Sequence, residues 1–238
     1  MPIGCDSAEA ERSARSPIEA SEPVAQAEAD TRPSASTVGR PPARPSDSRP
    51  ILLFLGNSLT AGLGVDPSEA FPALIQTRID EAGFEFRVVN AGVSGETTAG
   101  GLSRLDWLLE QAISTLVLEL GANDALRGAP PEAVEGNLQA IIDGARAAHP
   151  RIQIVLAGMQ APPNMGRDYA TAFREIFPRL ASENDLKLIP FLLEGVAADP
   201  ALNQADGIHP TADGHAIMAE TVWDVLEPIL GDLSGSAG

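Results

Sequence analysis

The chain is poor in several things, and each shortage excludes something. Among 238 residues there is one cysteine, Cys5, so no internal disulfide and no thiolate metal site can form. No apolar run approaches the ~18 residues of a membrane span. Basic charge is scarce: 16 Lys and Arg face 33 Asp and Glu, a formal net charge of −17. The first 50 residues hold 8 acidic and 6 basic side chains, which leaves 25 against 10 in residues 51–238. A domain so acidic lacks the basic face that a nucleic acid requires. Aromatics make up only 4%. Histidine occurs three times, so a search for a general base has three candidates.

Residues 1–50 also lack a hydrophobic core of their own. Ala, Ser, Pro, Glu and Arg dominate them, and such a segment buries too little surface to offset its ordering entropy. It is expected to be a disordered tail or tether, ahead of a domain at 51–231 and a flexible C-terminus at 232–238. The start MPIGCDS has no basic stretch followed by an apolar one, and so is not itself a signal peptide. Small residues before Cys5, and a long linker after it, resemble the maturation site of a bacterial lipoprotein. With a leader upstream, Cys5 would be a lipid anchor and the protein periplasmic or membrane-tethered; without one, cytoplasmic.

From residue 51 apolar runs alternate with amphipathic segments. ILLFLGN (51–57), FRVVN (86–90), STLVLEL (114–120), IQIVLAG (152–158) and LKLIPF (186–191) have the length and composition of buried strands. Between them, 3-4-4 spacing predicts a helix capped by Ser68 and stopped by Gly83, and a second over 97–112. A third, opened by Pro130 and Pro131, ends before Pro150. The segment RDYATAFREIFPRLASEN is helical in pattern, with Pro178 expected to kink or break it. A last helix is expected from Thr211 to Leu230. This alternation predicts an α/β fold with a parallel sheet covered on both faces, whose ligands bind at the carboxyl ends of the strands.

Chemistry-bearing residues do collect after the strands. The first ends in Gly56-Asn57-Ser58, the second in NAGVSGETT with Gly95, the third in GAND with Asn123. After the fifth comes DGIHP, with Asp206 three residues before His209. A serine hydroxyl becomes a nucleophile only when a base takes its proton and a third group orients that base. His149 ends a helix and His215 opens one, positions suited to capping and packing. His209 and Asp206 fit base and orienting carboxylate. Backbone N–H groups of Ser58 and Gly95 and the Asn123 amide suit a developing oxyanion. There is no G-x-S-x-G elbow, phosphate loop, dinucleotide fingerprint or metal-ligand spacing.

GNSLTAG, NAGVSGETTAGGLSRL, GANDALRG and DGIHPTADGH, in that order, resemble the blocks of the SGNH (GDSL-type) hydrolases. The likeness is greatest to the bacterial arylesterase, acyl-CoA thioesterase I and lysophospholipase group. It covers 51–230 and none of the tail. The resemblance implies a three-layer α/β/α, flavodoxin-like fold with strand order 2-1-3-4-5 and no cofactor. It also implies a catalytic triad of Ser58, Asp206 and His209, and an oxyanion hole of Ser58, Gly95 and Asn123. The loop after the fourth strand would shape an acyl groove, with Pro162, Pro163 and Met165 as contacts and Leu63 beside them.

The expected activity is hydrolysis of short- to medium-chain acyl esters, aryl esters included, with thioesters and lysophospholipids within the same chemistry. A carbohydrate O-acetyl esterase shares the machinery, though the apolar groove loop argues against it. A tethered lipid-binding module without catalysis is disfavoured by the complete set of reactive residues. One position departs from the family: Asn57 stands where aspartate is usual.

Overall fold

The computed structural model describes residues 47–235; Cys5 and nearly all of the tail lie outside them. The sheet is built from β1 (Ile51–Gly56), β2 (Arg87–Gly92), β3 (Ile113–Glu119), β4 (Gln153–Ala157) and β5 (Lys187–Ile189). All neighbours pair in parallel, in the order β2-β1-β3-β4-β5. β1 is buried on both faces along its whole length, which is why it reads as an unbroken apolar run rather than an alternating one. Leu52, Leu53, Phe54 and Leu55 expose nothing, and each contributes about 1.5–3 kcal/mol through burial.

The helices are α1 (Ser58–Ala61), α2 (Phe71–Glu81), α3 (Thr98–Ser103), α4 (Leu105–Leu108), α5 (Ala122–Leu126), α6 (Pro131–Ala148), α7 (Arg167–Glu183) and α8 (Ala212–Gly235). α2 packs on α8, while α3, α4 and α7 pack on α6. With right-handed crossovers, this arrangement puts one group on each face of the sheet. The chain is thus an α/β/α sandwich. Among the described residues, no helix is long and apolar enough to cross a membrane.

Several boundaries differ from the sequence expectation, each for a physical reason. Ser68 does not cap α2; its N–H and hydroxyl both bond Asp66 in a turn, and the helix starts later with Pro72 in its first turn. Gly83 does stop α2, at φ 72, with Phe84 N–H donating to the Ile79 carbonyl. The helix expected over 97–112 is two short ones, interrupted at Arg104, whose guanidinium is held by Glu96 and the Ala91 carbonyl. α7 runs through Pro178 without a break, anchored by buried Phe173, Ile176, Phe177 and Leu180. β5 ends before Pro190, which has no N–H to donate. α8 continues to Gly235, beyond Leu230, so residues 232–235 are helical rather than part of a flexible end. At the other end the domain begins before residue 51: the Pro50 carbonyl accepts from Arg87 N–H at 2.9 Å.

Candidate active site

Strand order reverses at β1, so the carboxyl ends of β1 and β3 flank the crevice where such sheets bind ligands. Ser58 sits there as the first residue of α1 and is 8% exposed. Asn57 caps this short helix, its Oδ1 accepting from Leu59 N–H at 2.9 Å. Gly62, at φ 73, ends it.

The loop after β5 brings His209 to the serine. His209 Nε2 lies 2.9 Å from Ser58 Oγ, and its Nδ1 lies 2.6 Å from Asp206 Oδ2. The other carboxylate oxygen of Asp206 accepts the backbone N–H groups of Ile208 (2.9 Å) and His209 (3.0 Å). Hydrogen bonds from the His209 ring, then from these two amides, hold the Asp206 carboxyl well below the usual carboxylate range. Gln204 ties the loop to the serine turn: its Nε2 donates to the carbonyls of Leu63 (2.7 Å) and Pro210 (2.8 Å). The other two histidines stand apart. His149 caps α6 and faces the Leu109 carbonyl at 3.1 Å. His215 is buried against Phe71, whose backbone N–H donates to its Nδ1, and burial pushes its pKa down to about 4.

Gly95 and Asn123 meet on the other side. Gly95 takes φ 81, a conformation an L side chain resists. Asn123 Nδ2 donates to the Glu96 carbonyl at 3.0 Å, which leaves the second amide hydrogen for another acceptor. Arg127 Nη2 donates to the Gly95 carbonyl at 2.9 Å, so α5 and its following residue clamp the glycine loop at two points. Met165 lies beside Gly128, just past α5, within a 3-10 turn over Pro163–Met165; Pro162 precedes it. Leu63 is 45% exposed. Leu63, Val93, Leu126 and Ile208 are four of the five exposed large apolar residues among those described, and all lie on segments following β1, β2, β3 and β5.

The reading from sequence missed Gln204, Arg127 and, above all, Glu119. Glu119 ends β3 with no exposure, and burial pushes its carboxyl up to about 7 against hydrogen bonds from Thr60 and Asn57 that lower it. Its signal was present, since it is the one carboxylate inside the apolar run STLVLEL.

The sequence and the fold are both similar to those of known proteins. The GDSL-like Lipase/Acylhydrolase family matches residues 54–217. The chain belongs to that family. Among relatives of this GDSL-like chain, esterase TesA of Pseudomonas aeruginosa is 43% identical over 180 residues, covering 75% of this chain and 89% of TesA. Thioesterase 1/protease 1/lysophospholipase L1 of Escherichia coli is 41% identical, covering 75% and 84%. A solved structure of the psychrotrophic esterase EstA from Pseudoalteromonas sp., inhibited by monoethylphosphonate, superimposes with TM-score 0.71 at 32% identity, covering 76% and 98%.

Proposed function

We propose that this GDSL-family hydrolase cleaves acyl esters through an acyl-enzyme on Ser58, with His209 as base and Asp206 as its orienting carboxylate. The line Ser58 Oγ to His209 Nε2 (2.9 Å) to Asp206 Oδ2 (2.6 Å) carries this reading. Ser58 Oγ attacks the acyl carbonyl carbon while its proton passes to Nε2. Asp206 accepts the Nδ1 hydrogen, which fixes the tautomer and stabilises the imidazolium. The backbone N–H groups of Ser58 and Gly95 and the second Asn123 amide hydrogen receive the oxyanion. Each such donor is worth roughly a hundred- to a thousand-fold in turnover. The tetrahedral adduct collapses as the leaving alcohol or thiol takes the proton from His209. Water, deprotonated by the same ring, then releases the acid and regenerates the serine.

The apolar residues around the crevice suit an acyl chain: Leu63 beside the serine turn, and the loop after β4 with Pro162, Pro163 and Met165, the last of them beside Gly128. This favours short- to medium-chain acyl esters, aryl esters among them. The relatives' names, an esterase and a thioesterase and lysophospholipase, accord with cleavage of acyl esters and thioesters. Rapid mixing with p-nitrophenyl butyrate should give a burst of nitrophenol matching the enzyme concentration if deacylation is slower than acylation. Ser58→Ala should abolish the burst and lower turnover by about five to six orders of magnitude. Unchanged turnover in that variant would overturn the proposal.

A further inference from the structure

The buried carboxylate beneath the nucleophile turn has no part in the proton relay, yet the fold makes room for it deliberately. Glu119 pairs in register with Gly56, the residue before Asn57. A Cβ at Gly56 would lie 2.6 Å from Glu119 Oε2 and 2.0 Å from Thr60 Oγ1, so only glycine permits the carboxylate to sit there. Glu119 Oε1 accepts from Asn57 Nδ2 at 2.7 Å. Its Oε2 accepts from the Asn57 backbone N–H at 3.1 Å and from Thr60 Oγ1 at 2.8 Å. No arginine, lysine or histidine forms an ion pair with it among the described residues.

The direction of these bonds is determined. Leu59 N–H can only donate, so the Asn57 amide must present its oxygen there and its NH₂ to Glu119. Asn57 Oδ1 also lies 3.5 Å from Ser58 Oγ, at the edge of hydrogen-bond range. A chain of obligatory donors and acceptors thus runs from Glu119 through Asn57 to the first turn of α1, which carries the serine.

We propose that Glu119 is a positioning residue for Ser58, acting through the Asn57 amide whose orientation it fixes. This rests on Ser58 being the nucleophile. It also gives a role to the departure at position 57: an amide there offers the carboxylate a donor, where an aspartate would offer a second acceptor and require a shared proton.

Donor–acceptor parity supplies the test. In Glu119→Gln, the new NH₂ must oppose either the Asn57 backbone N–H or the Asn57 NH₂. Relieving the second clash by turning the Asn57 amide takes the cap away from Leu59. Adding Asn57→Asp repairs every contact. The carboxylate at 57 then accepts from Leu59 N–H and from the glutamine NH₂, while the glutamine oxygen accepts from the backbone N–H of residue 57 and from Thr60.

With p-nitrophenyl butyrate, Glu119→Gln should lower kcat roughly ten- to a hundred-fold, as a displaced nucleophile does, with KM changed less than threefold. The double variant Asn57→Asp/Glu119→Gln should recover kcat to within about fivefold of the unaltered protein. Wild-type kcat in Glu119→Gln would overturn the proposal, as would a double variant no better than the single one. If the single variant does not fold, a folded and active double variant still supports the proposal, and an inactive or unfolded one refutes it. Ser58→Ala, inactive in every background, separates failure of this inference from failure of the nucleophile assignment.

Discussion

Asn57→Asp on its own sets two carboxylates face to face in a site without solvent, and the structure gives the size of the effect. In the unaltered protein the Glu119 carboxyl titrates at about 7 when folded, against 4.5 when unconstrained. The folded state therefore keeps a proton that the unfolded chain releases. Its stability is fully present below about pH 4.5 and is lost as pH rises, until Glu119 ionises near 7. At 1.36 kcal/mol per pH unit this loss amounts to about 3 kcal/mol, after which the curve levels off.

Replacing the Asn57 amide, now 2.7 Å from Glu119 Oε1, with a carboxylate adds a like charge. Two such charges about 4 Å apart repel by about 4 kcal/mol at an effective dielectric of ~20. The like charge therefore keeps the pair's last proton bound well above pH 7. Stability of Asn57→Asp should accordingly keep falling by about 1.4 kcal/mol per pH unit between pH 7 and 9, where the unaltered protein is level. Urea unfolding of both proteins at unit pH intervals from 5 to 9 measures this. Two curves that run parallel above pH 7 would refute the buried-pair reasoning.

Other substitutions probe neighbouring parts of the site. Asp206→Asn should lower kcat by roughly four orders of magnitude, because His209 loses the acceptor that selects its tautomer. In the unaltered enzyme Asp206 keeps its charge as pH falls through the ordinary carboxylate range. Its protonation should therefore add no limb to the profile of acylation rate between pH 3 and 5, which stopped-flow measurement will show. Gly56→Ala forces a methyl against Thr60 and Glu119 and should cost about 1–3 kcal/mol of unfolding free energy, read by urea titration, with a fall in kcat as the serine turn shifts.

Much of this protein was legible in its sequence because its signals are local. A strand buried on both faces is an apolar run whatever its neighbours, so β1, β3 and β4 were placed to within a residue or two at each end. The polar endings of β1, β2 and β3 marked Ser58, Gly95 and Asn123 as candidates, and the three-residue spacing of Asp206 and His209 implied their contact, which the loop makes at 2.6 Å. Helix boundaries were less readable where a distant partner decided them. Arg104 interrupts a helical pattern because Glu96 and the Ala91 carbonyl hold it, and Pro178 is tolerated because the buried face of α7 outweighs one lost hydrogen bond.

Only the tertiary structure decided what lies beneath the nucleophile. In the sequence position 57 read only as a departure from the family, since sequence shows which residue is present and not what it faces. Glu119 is 62 residues away and reaches Asn57 only because β1 and β3 are neighbours in the sheet. The sequence by itself determined the strands and the candidate reactive groups that follow them. Chain pairing decided which donor meets which acceptor, because hydrogen-bond direction belongs to a contact between two residues rather than to either residue alone.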